Sequence, residues 1–367
     1  MTKIKAIALY LPQYHEIKEN NEWWGQGFTE WTNVKKAKPL IPNHYQPHVP
    51  LNQNYYNLDT NETLQQQAKL AASYGIHAFC FYHYWFNGKL LLEKPIHNLL
   101  NSPEPNFPFC LCWANENWTR RWNGGDKDIL MEQNYGEADD LKHIEYLIPI
   151  FKDPRYLKID GKPVFIMYRT ELHPDINAAT ALWRREVQQA GFPDLYLIRT
   201  ESFKTNIDPQ SIGFDAAMEF APSGCFKGRK IWKKNLLKYL THKFLHKTGI
   251  KKSPIIENGF FDYEQLVKNM MNRPMPKFKL HRCITPSWDN SARRKSKATI
   301  YLNSSPAQFE TWTKFASQYT ASNFEPETAL MFVNAWNEWA EGCHLEPDEK
   351  YGYAYLEAFK KGIENYN

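Results

Sequence analysis

The chain has 367 residues, enough for one large α/β domain or two ordinary ones, and its formal charge of +5 is modest. No run of about 18 apolar residues occurs, so no membrane-spanning helix is expected. The first residues lack the apolar stretch and cleavage site of a signal peptide, which points to the cytoplasm. Six cysteines, scattered without zinc spacing or a disulfide framework, read as reduced, buried thiols.

Eight short apolar runs recur in chain order: Ile4 to Leu11, Ile76 to Trp85, Phe107 to Trp113, Pro163 to Tyr168, Leu195 to Ile198, Phe214 to Phe220, Cys283 to Trp288 and Leu330 to Trp336. Between them lie helical patterns at Glu62 to Ser73, Ala138 to Phe151, Ile176 to Ala190 and Pro306 to Tyr319, and Tyr353 to Asn365 follows the last run. Strands alternating with helices predict a parallel sheet buried on both faces, and eight such units predict a (β/α)8 barrel. A doubly wound open sheet is the rival, but "YLPQYHE" stands where its glycine-rich phosphate turn would be. The expected organisation is one catalytic domain over 1–367, with long loops after the strands and a basic helical insertion over about 223–275.

A barrel places function at the C-terminal ends of its strands. Those ends are crowded with aromatic rings and hydrogen-bonding groups, a combination that suits sugars. Indoles and phenols cover the apolar C–H faces, while carboxylates, amides and imidazoles read the hydroxyls. The expected sugar-binding set is Tyr10, Gln13, Tyr14, Trp31, Tyr82, His83, Tyr84, Trp113, Asn115, Glu116, Tyr168, Glu219, Trp288, Asp289, Trp336 and Asn337.

The eighth run ends in "NAWNEWAEG", which holds Glu338 and Glu341 three residues apart. Side chains alternate along a strand, so these two converge only if the chain curls between them, and Gly342 supports a turn there. Two carboxyls about 5 Å apart can perform double displacement on a glycosidic bond, and a gap of about 6.5–9.5 Å suits inversion. Burial near indoles and mutual repulsion would raise one pKa and leave an acid and a base. Glu338 and Glu341 are therefore the catalytic candidates, with no metal or other cofactor.

"WNEWAEG" after the last strand resembles the catalytic segment of glycoside hydrolase family 99, the endo-α-mannosidases and endo-α-mannanases. "LPQYHEI", "GFTEWTNV" with "QPHVPL", "FYHYWF", "WANENWTRRW" and "WDNSARR" resemble the related WbsX-like group of bacterial O-antigen and capsule loci, whose members are often labelled glycosyltransferases. The resemblance covers nearly the whole chain. It implies a (β/α)8 barrel and metal-independent action on α-linked sugars with retention. By position it makes Glu338 the base on the sugar 2-hydroxyl, through a 1,2-anhydro intermediate, and Glu341 the general acid and then base. Mannose specificity does not follow, because the loops outside these motifs differ.

Between Glu219 and Glu257 there is no acidic residue but ten Lys or Arg, from Lys227 to Lys252, so the rest of the chain is net acidic. Trp232, Leu236, Leu237, Leu240 and Phe244 recur there at helical spacing. The stripe either packs on the barrel or docks on an anionic membrane, which would make the protein peripheral to the inner membrane and bring it to a lipid-linked glycan. An acidic polysaccharide is a further partner for it, whereas nucleic acid is not expected. His242-x3-His246 and the Asp126–Asp128 pair are weak metal patterns. Three readings stand: a retaining glycosidase or transglycosylase acting on a bacterial surface glycan or its lipid-linked precursor, a glycosyltransferase using an activated sugar donor, and a non-catalytic glycan-binding barrel.

Overall fold

The structure, a computed structural model, describes residues 3–120, 125–223, 228, 230–231, 236–248, 252–294 and 296–366. Eight parallel strands form its centre: β1 Lys5–Tyr10, β2 Ala78–Phe86, β3 Phe109–Trp113, β4 Lys162–Met167, β5 Tyr196–Glu201, β6 Ala216–Glu219, β7 over 280–284 and β8 Leu330–Val333. Each pairs with its sequence neighbour, and β1 pairs with β8 through Lys5↔Leu330 to Ala8↔Val333. β7 completes the ring in two halves. Leu280–His281 pairs with β6, and Cys283–Ile284 pairs with β8. The expected (β/α)8 barrel is the observed fold. Its strands are continuous apolar runs because both faces are covered, one by the barrel interior and one by helices.

The longer helices are α1 Glu62–Ser73, α2 Lys94–Leu100, α3 Glu137–Phe151, α4 Ile176–Gln189, α5 Leu236–Lys247, α6 Tyr263–Met271, α7 Pro306–Asn323 and α8 Ala354–Ile363. Their starts follow ordinary capping chemistry. The Asp175 carboxylate accepts the Ala178 N–H ahead of α4, and Ser305, followed by Pro306, accepts the Gln308 N–H ahead of α7. The stretch after β5 holds a 3-10 turn, Pro209–Ile212, and no longer helix among the described residues.

The segment after β6 divides into two parts. Tyr263, Leu266, Val267 and Met270 of α6 are buried in the barrel core, so residues 263–271 act as an outer helix of the ring. Ahead of them, Gly259–Asp262 pairs in parallel with Thr299–Leu302 from the loop after β7. Phe260, Ala298 and Ile300 make a second small core there against Leu40 and Ile41 of the long first loop. Loops one, six and seven are thus packed together above the barrel. No helix among the described residues is long and apolar enough to cross a membrane.

Candidate active site

The segment after β8 is built as a rigid turn. Asn337–Glu338 pairs antiparallel with Cys343–His344, and between them Trp339–Glu341 forms one 3-10 turn that ends at Gly342 with φ +58°. A β-carbon at Gly342 would lie 3.1 Å from Cβ and N of Asp289 and 3.2 Å from its backbone oxygen, so glycine is favoured both by conformation and by space. The turn is fastened to the end of β7 by the Asp289 N–H donating to the Glu341 carbonyl (2.7 Å) and by Ser287 Oγ donating to the Gly342 carbonyl. It is fastened to β1 by Asn337, whose Oδ1 accepts the Leu11 N–H (2.7 Å) and whose Nδ2 donates to the Leu11 carbonyl (3.0 Å). The curl brings Glu338 and Glu341 to the same side.

One guanidinium joins the two acids. Arg293, from the loop after β7, donates from Nη2 to Glu338 Oε2 (2.7 Å), from Nη1 to Glu341 Oε1 (3.0 Å) and from Nε to Glu30 Oε1 (2.7 Å). Glu30 opens the short helix Glu30–Lys36 in the first loop and is fully buried. The two carboxyls are thus held on neighbouring nitrogens of a single guanidinium. The electrostatics follow from three acids sharing one cation. Burial pushes the Glu338 carboxyl up to about 8; Arg293 opposes this, and Glu341 and Glu30 reinforce it. Burial also raises Glu30 against the pull of Arg293. The three carboxylates hold Arg293 well above its ordinary value and outweigh its burial.

The acids open into a cavity of about 320 Å3 at the C-terminal end of the barrel, to which all eight strand ends or their loops contribute. Eight aromatic side chains line it: Trp24, Tyr82, Tyr84, Trp118, Tyr168, Phe203, Phe220 and Trp288. Gln13, Glu116, Asn117, Asn290 and Arg294 add polar groups. The buried Gln13 Nε2 has no hydrogen-bond partner among the described residues. Glu116 is ion-paired to Arg169, whose guanidinium lies 3.7 Å from the Phe203 ring centre.

Of the residues expected here from sequence, the structure brings Gln13, Tyr82, Tyr84, Glu116, Tyr168, Trp288, Glu338 and Glu341 together around this cavity. The others lie outside its lining, and the strand pleat explains several. Successive side chains alternate between barrel interior and helix layer. Tyr82 and Tyr84 face inward, while His83 points to the helices and meets His143 of α3 (2.9 Å). Trp113 packs on His143 and Trp183, Trp336 packs on Phe79, and the Tyr10 hydroxyl donates to Gln67 of α1 (2.5 Å). Glu219 faces the same layer and is buried in ion pairs with Arg282 (2.9 Å) and Arg273 (3.1 Å).

The remaining five hold loops in place. Tyr14 donates to the Asn337 carbonyl, and Asn337 bridges to β1 as described. Trp31 Nε1 donates to the Tyr56 carbonyl (2.7 Å). Asn115 donates to Tyr135 Oη and to the Arg169 carbonyl (both 2.9 Å). Asp289 accepts from His44 Nε2 (2.6 Å) and Gln46 Nε2 (2.8 Å) and faces a second cavity.

Arg293 and Glu30 were missing from the sequence-based set. The signal available was chemical: two acids crowded on one turn need a cation, and "WDNSARR" supplies arginines at a strand end. Glu346 was also missed. It lies beneath the turn and accepts from Trp339 Nε1 (2.7 Å), Tyr56 Oη (2.8 Å) and Gln67 Nε2 (2.6 Å), and burial raises it to about 7.

In the basic segment α5 forms as expected, but Leu240 and Phe244 are 51% and 65% exposed, so this part of the stripe faces outward. Trp232 lies outside the described residues. His242 Nδ1 meets Ser253 Oγ (3.0 Å) and His246 Nδ1 accepts the Ser253 N–H (3.3 Å), so the pair serves as a local clasp. Asp128 is exposed on the strand Gly125–Met131.

Comparison with known proteins agrees with this architecture. The family model described as "Glycosyltransferase WbsX" matches residues 6–359. Two proteins named "Uncharacterized protein WxcX", from Xanthomonas campestris pv. campestris strains B100 and ATCC 33913, are 38% identical over 357 residues, 97% of this chain. The chain spans about half the length of these curated relatives (49%). Among solved structures, a "Glycoside hydrolase-like protein" aligns at TM-score 0.60 with 14% identity, over 99% of this chain and 94% of the other. The family 99 endo-α-mannosidase of Bacteroides thetaiotaomicron aligns at 0.58 with 11% identity, over 98% and 97%. At such identities the likeness is one of fold. The chain belongs to the WbsX glycosyltransferase family, a carbohydrate-active family carried here on the (β/α)8 barrel fold of family 99 glycosidases.

Proposed function

We propose that this protein is a retaining, endo-acting α-glycosidase or transglycosylase that acts on a bacterial surface glycan or its lipid-linked precursor. The observation that carries the reading is the Glu338–Glu341 turn, clamped by Arg293 and facing a cavity walled by aromatic rings. Glu338 takes the proton of the sugar 2-hydroxyl as that oxygen attacks the anomeric carbon. Glu341 protonates the departing glycosidic oxygen, then removes a proton from the water or sugar that opens the intermediate. An intramolecular hydroxyl held beside its own anomeric carbon gains several kcal/mol from proximity alone. Once ionised, a carboxylate with pKa about 8 accepts an alcohol proton more readily than an ordinary one, and Glu338 serves as base in that form. Gln13 Nε2, without a partner among the described residues, is available to donate to a sugar hydroxyl.

The family's name favours a second reading, transfer from an activated sugar donor. Arg294 lines the cavity and has no acidic partner among the described residues, so it could face a donor phosphate. The two readings separate in one assay. The protein is incubated with α-linked oligosaccharides and with capsular or O-antigen glycans, with and without nucleotide-sugar donors, and products are read by mass spectrometry. Cleavage or chain transfer without any donor supports the glycosidase reading. Product that appears only when a donor is supplied replaces it with the transferase.

The outward face of α5 supports a partner for the whole protein. Leu240 and Phe244 are four residues apart on one face, beside exposed Lys243 and Lys247. An apolar pair framed by lysines suits the interface of an anionic bilayer. Such docking would hold the cleft near a lipid-linked glycan.

A further inference from the structure

Behind the catalytic turn, on the far side of Trp288 and Gly342, lies a second cavity of about 490 Å3. Three potential ligands border it: His48 from the first loop, and His344 and Asp348 from the loop after β8. All three are buried, and one donor atom from each lies within 4.8 Å of the others. His48 Nδ1 and His344 Nε2 are 2.8 Å apart although 296 residues separate them in sequence. That separation is why no ligand spacing is visible in the chain.

We propose that His48, His344 and Asp348 bind one divalent transition-metal ion, zinc by preference, which clips the first loop to the eighth. The donor set is two imidazoles and one carboxylate, a combination that zinc takes at about 2.0–2.2 Å. Each ligand is oriented by a further partner, as metal ligands usually are. His344 Nδ1 donates to the Glu346 carbonyl (2.9 Å), which turns the Nε2 lone pair toward His48 and Asp348. Asp348 Oδ2 accepts from Tyr45 Oη (2.9 Å) and Oδ1 from the Tyr351 N–H (2.6 Å). Flat contacts fix both rings: His48 stacks on Tyr45 (4.2 Å) and His344 on Trp339 (3.7 Å).

An imidazole pair alone could satisfy itself with one N–H···N bond. Asp348 could not be satisfied in that way. It is 4% exposed, and no cationic side chain pairs with it among the described residues; Lys350 instead lies over the Tyr45 and Tyr351 rings. A buried carboxylate without a counter-charge is costly, and a metal ion supplies the charge. The second cavity offers an entry path and room for a water as fourth ligand.

The role is architectural. Backbone bonds already join the two loops beside the site, Leu51 N–H to the Pro347 carbonyl (3.0 Å) and Glu349 N–H to the Val49 carbonyl (2.9 Å). One loop carries Glu30 and the other carries Glu338 and Glu341, so the clip holds the two walls of the cleft together. The proposal does not depend on which sugar chemistry the cleft performs.

The test uses the full chain with any purification tag removed. Metal content is measured by mass spectrometry as purified and after incubation with Zn2+, and chelated protein is titrated with Co2+ while its visible spectrum is recorded. The proposal expects one ion per chain, a Co2+ band of low-symmetry nitrogen–oxygen ligation, and a rise in unfolding temperature when Zn2+ is restored. His344→Gln and Asp348→Asn should abolish all three. Wild-type protein that stays metal-free after Zn2+ incubation and shows no Co2+ band overturns the site, whether or not the variants fold. Undiminished binding by both variants overturns it equally.

Discussion

Removing the Arg293 guanidinium is the perturbation whose outcome the structure specifies most closely. Arg293→Gln leaves Glu30, Glu338 and Glu341 without the cation that reaches all three at 2.7–3.0 Å. Breaking a buried ion pair by deleting one partner costs about 3–5 kcal/mol. The Glu30 and Glu338 contacts are buried and carry that cost in full, whereas Glu341 is 22% exposed and adds less. The cost must also depend on pH, with a definite sign. Glu338 sits at about 8 in the folded protein and near its ordinary value of 4.5 when unfolded. Between those values the folded state holds a proton that the unfolded chain has released, so wild-type stability falls as pH rises, by at most about 1.4 kcal/mol per pH unit from this group. Loss of the arginine moves the upper end of that window above 8. Below about 8 Glu338 is neutral in the folded protein with or without the arginine, so the part of the difference that comes from its charge disappears there. Urea unfolding followed by tryptophan fluorescence measures this directly. We expect Arg293→Gln to cost about 3–5 kcal/mol near pH 8.5 and about 1 kcal/mol less near pH 5.5, where Glu338 is neutral in both proteins. A cost under about 1 kcal/mol near pH 8.5, or one that is equal at both pH values, would refute the clamp.

Two further predictions concern the turn and the helix. Gly342→Ala should destabilise the protein by roughly 1–3 kcal/mol in the same assay, because an L-residue at φ +58° is strained and its Cβ meets Asp289 at 3.1 Å. A loss near zero would mean that the turn relaxes freely. Leu240→Asp with Phe244→Asp should reduce co-sedimentation with anionic vesicles while leaving the unfolding temperature unchanged, since both side chains are already exposed. Unchanged sedimentation would remove the membrane from the account.

Much of the fold was legible because parallel strands buried on both faces announce themselves as unbroken apolar runs. The helix Glu62–Ser73 matches its expected bounds to the residue. β7 was placed late, at Cys283, because its first half pairs only with β6 and carries the polar pair His281–Arg282. The cleft was half legible, and the reason is the pleat. Sequence shows which residues stand at a strand end but says less about which parity faces inward, so His83 and Trp113 were grouped with Tyr82 and Tyr84. Partners brought together only by folding were out of reach. Arg293 and Glu30 meet across 263 residues, and His48 and His344 across 296. By contrast, the convergence of Glu338 and Glu341 needed only local reasoning about a turn ending in glycine.

The central claim is that Glu338 and Glu341 divide the work on a glycosidic bond. The most direct measurement is turnover by wild type, Glu338→Gln and Glu341→Gln on two α-linked substrates that differ only in leaving group, one a sugar and one an activated phenol. General acid–base groups typically contribute about 100- to 10,000-fold each. The account predicts that Glu338→Gln loses activity on both substrates by about that factor, while Glu341→Gln loses it on the sugar leaving group and recovers most of it on the phenol, which departs without protonation. Near wild-type rates in either variant on the sugar-linked substrate would contradict the account.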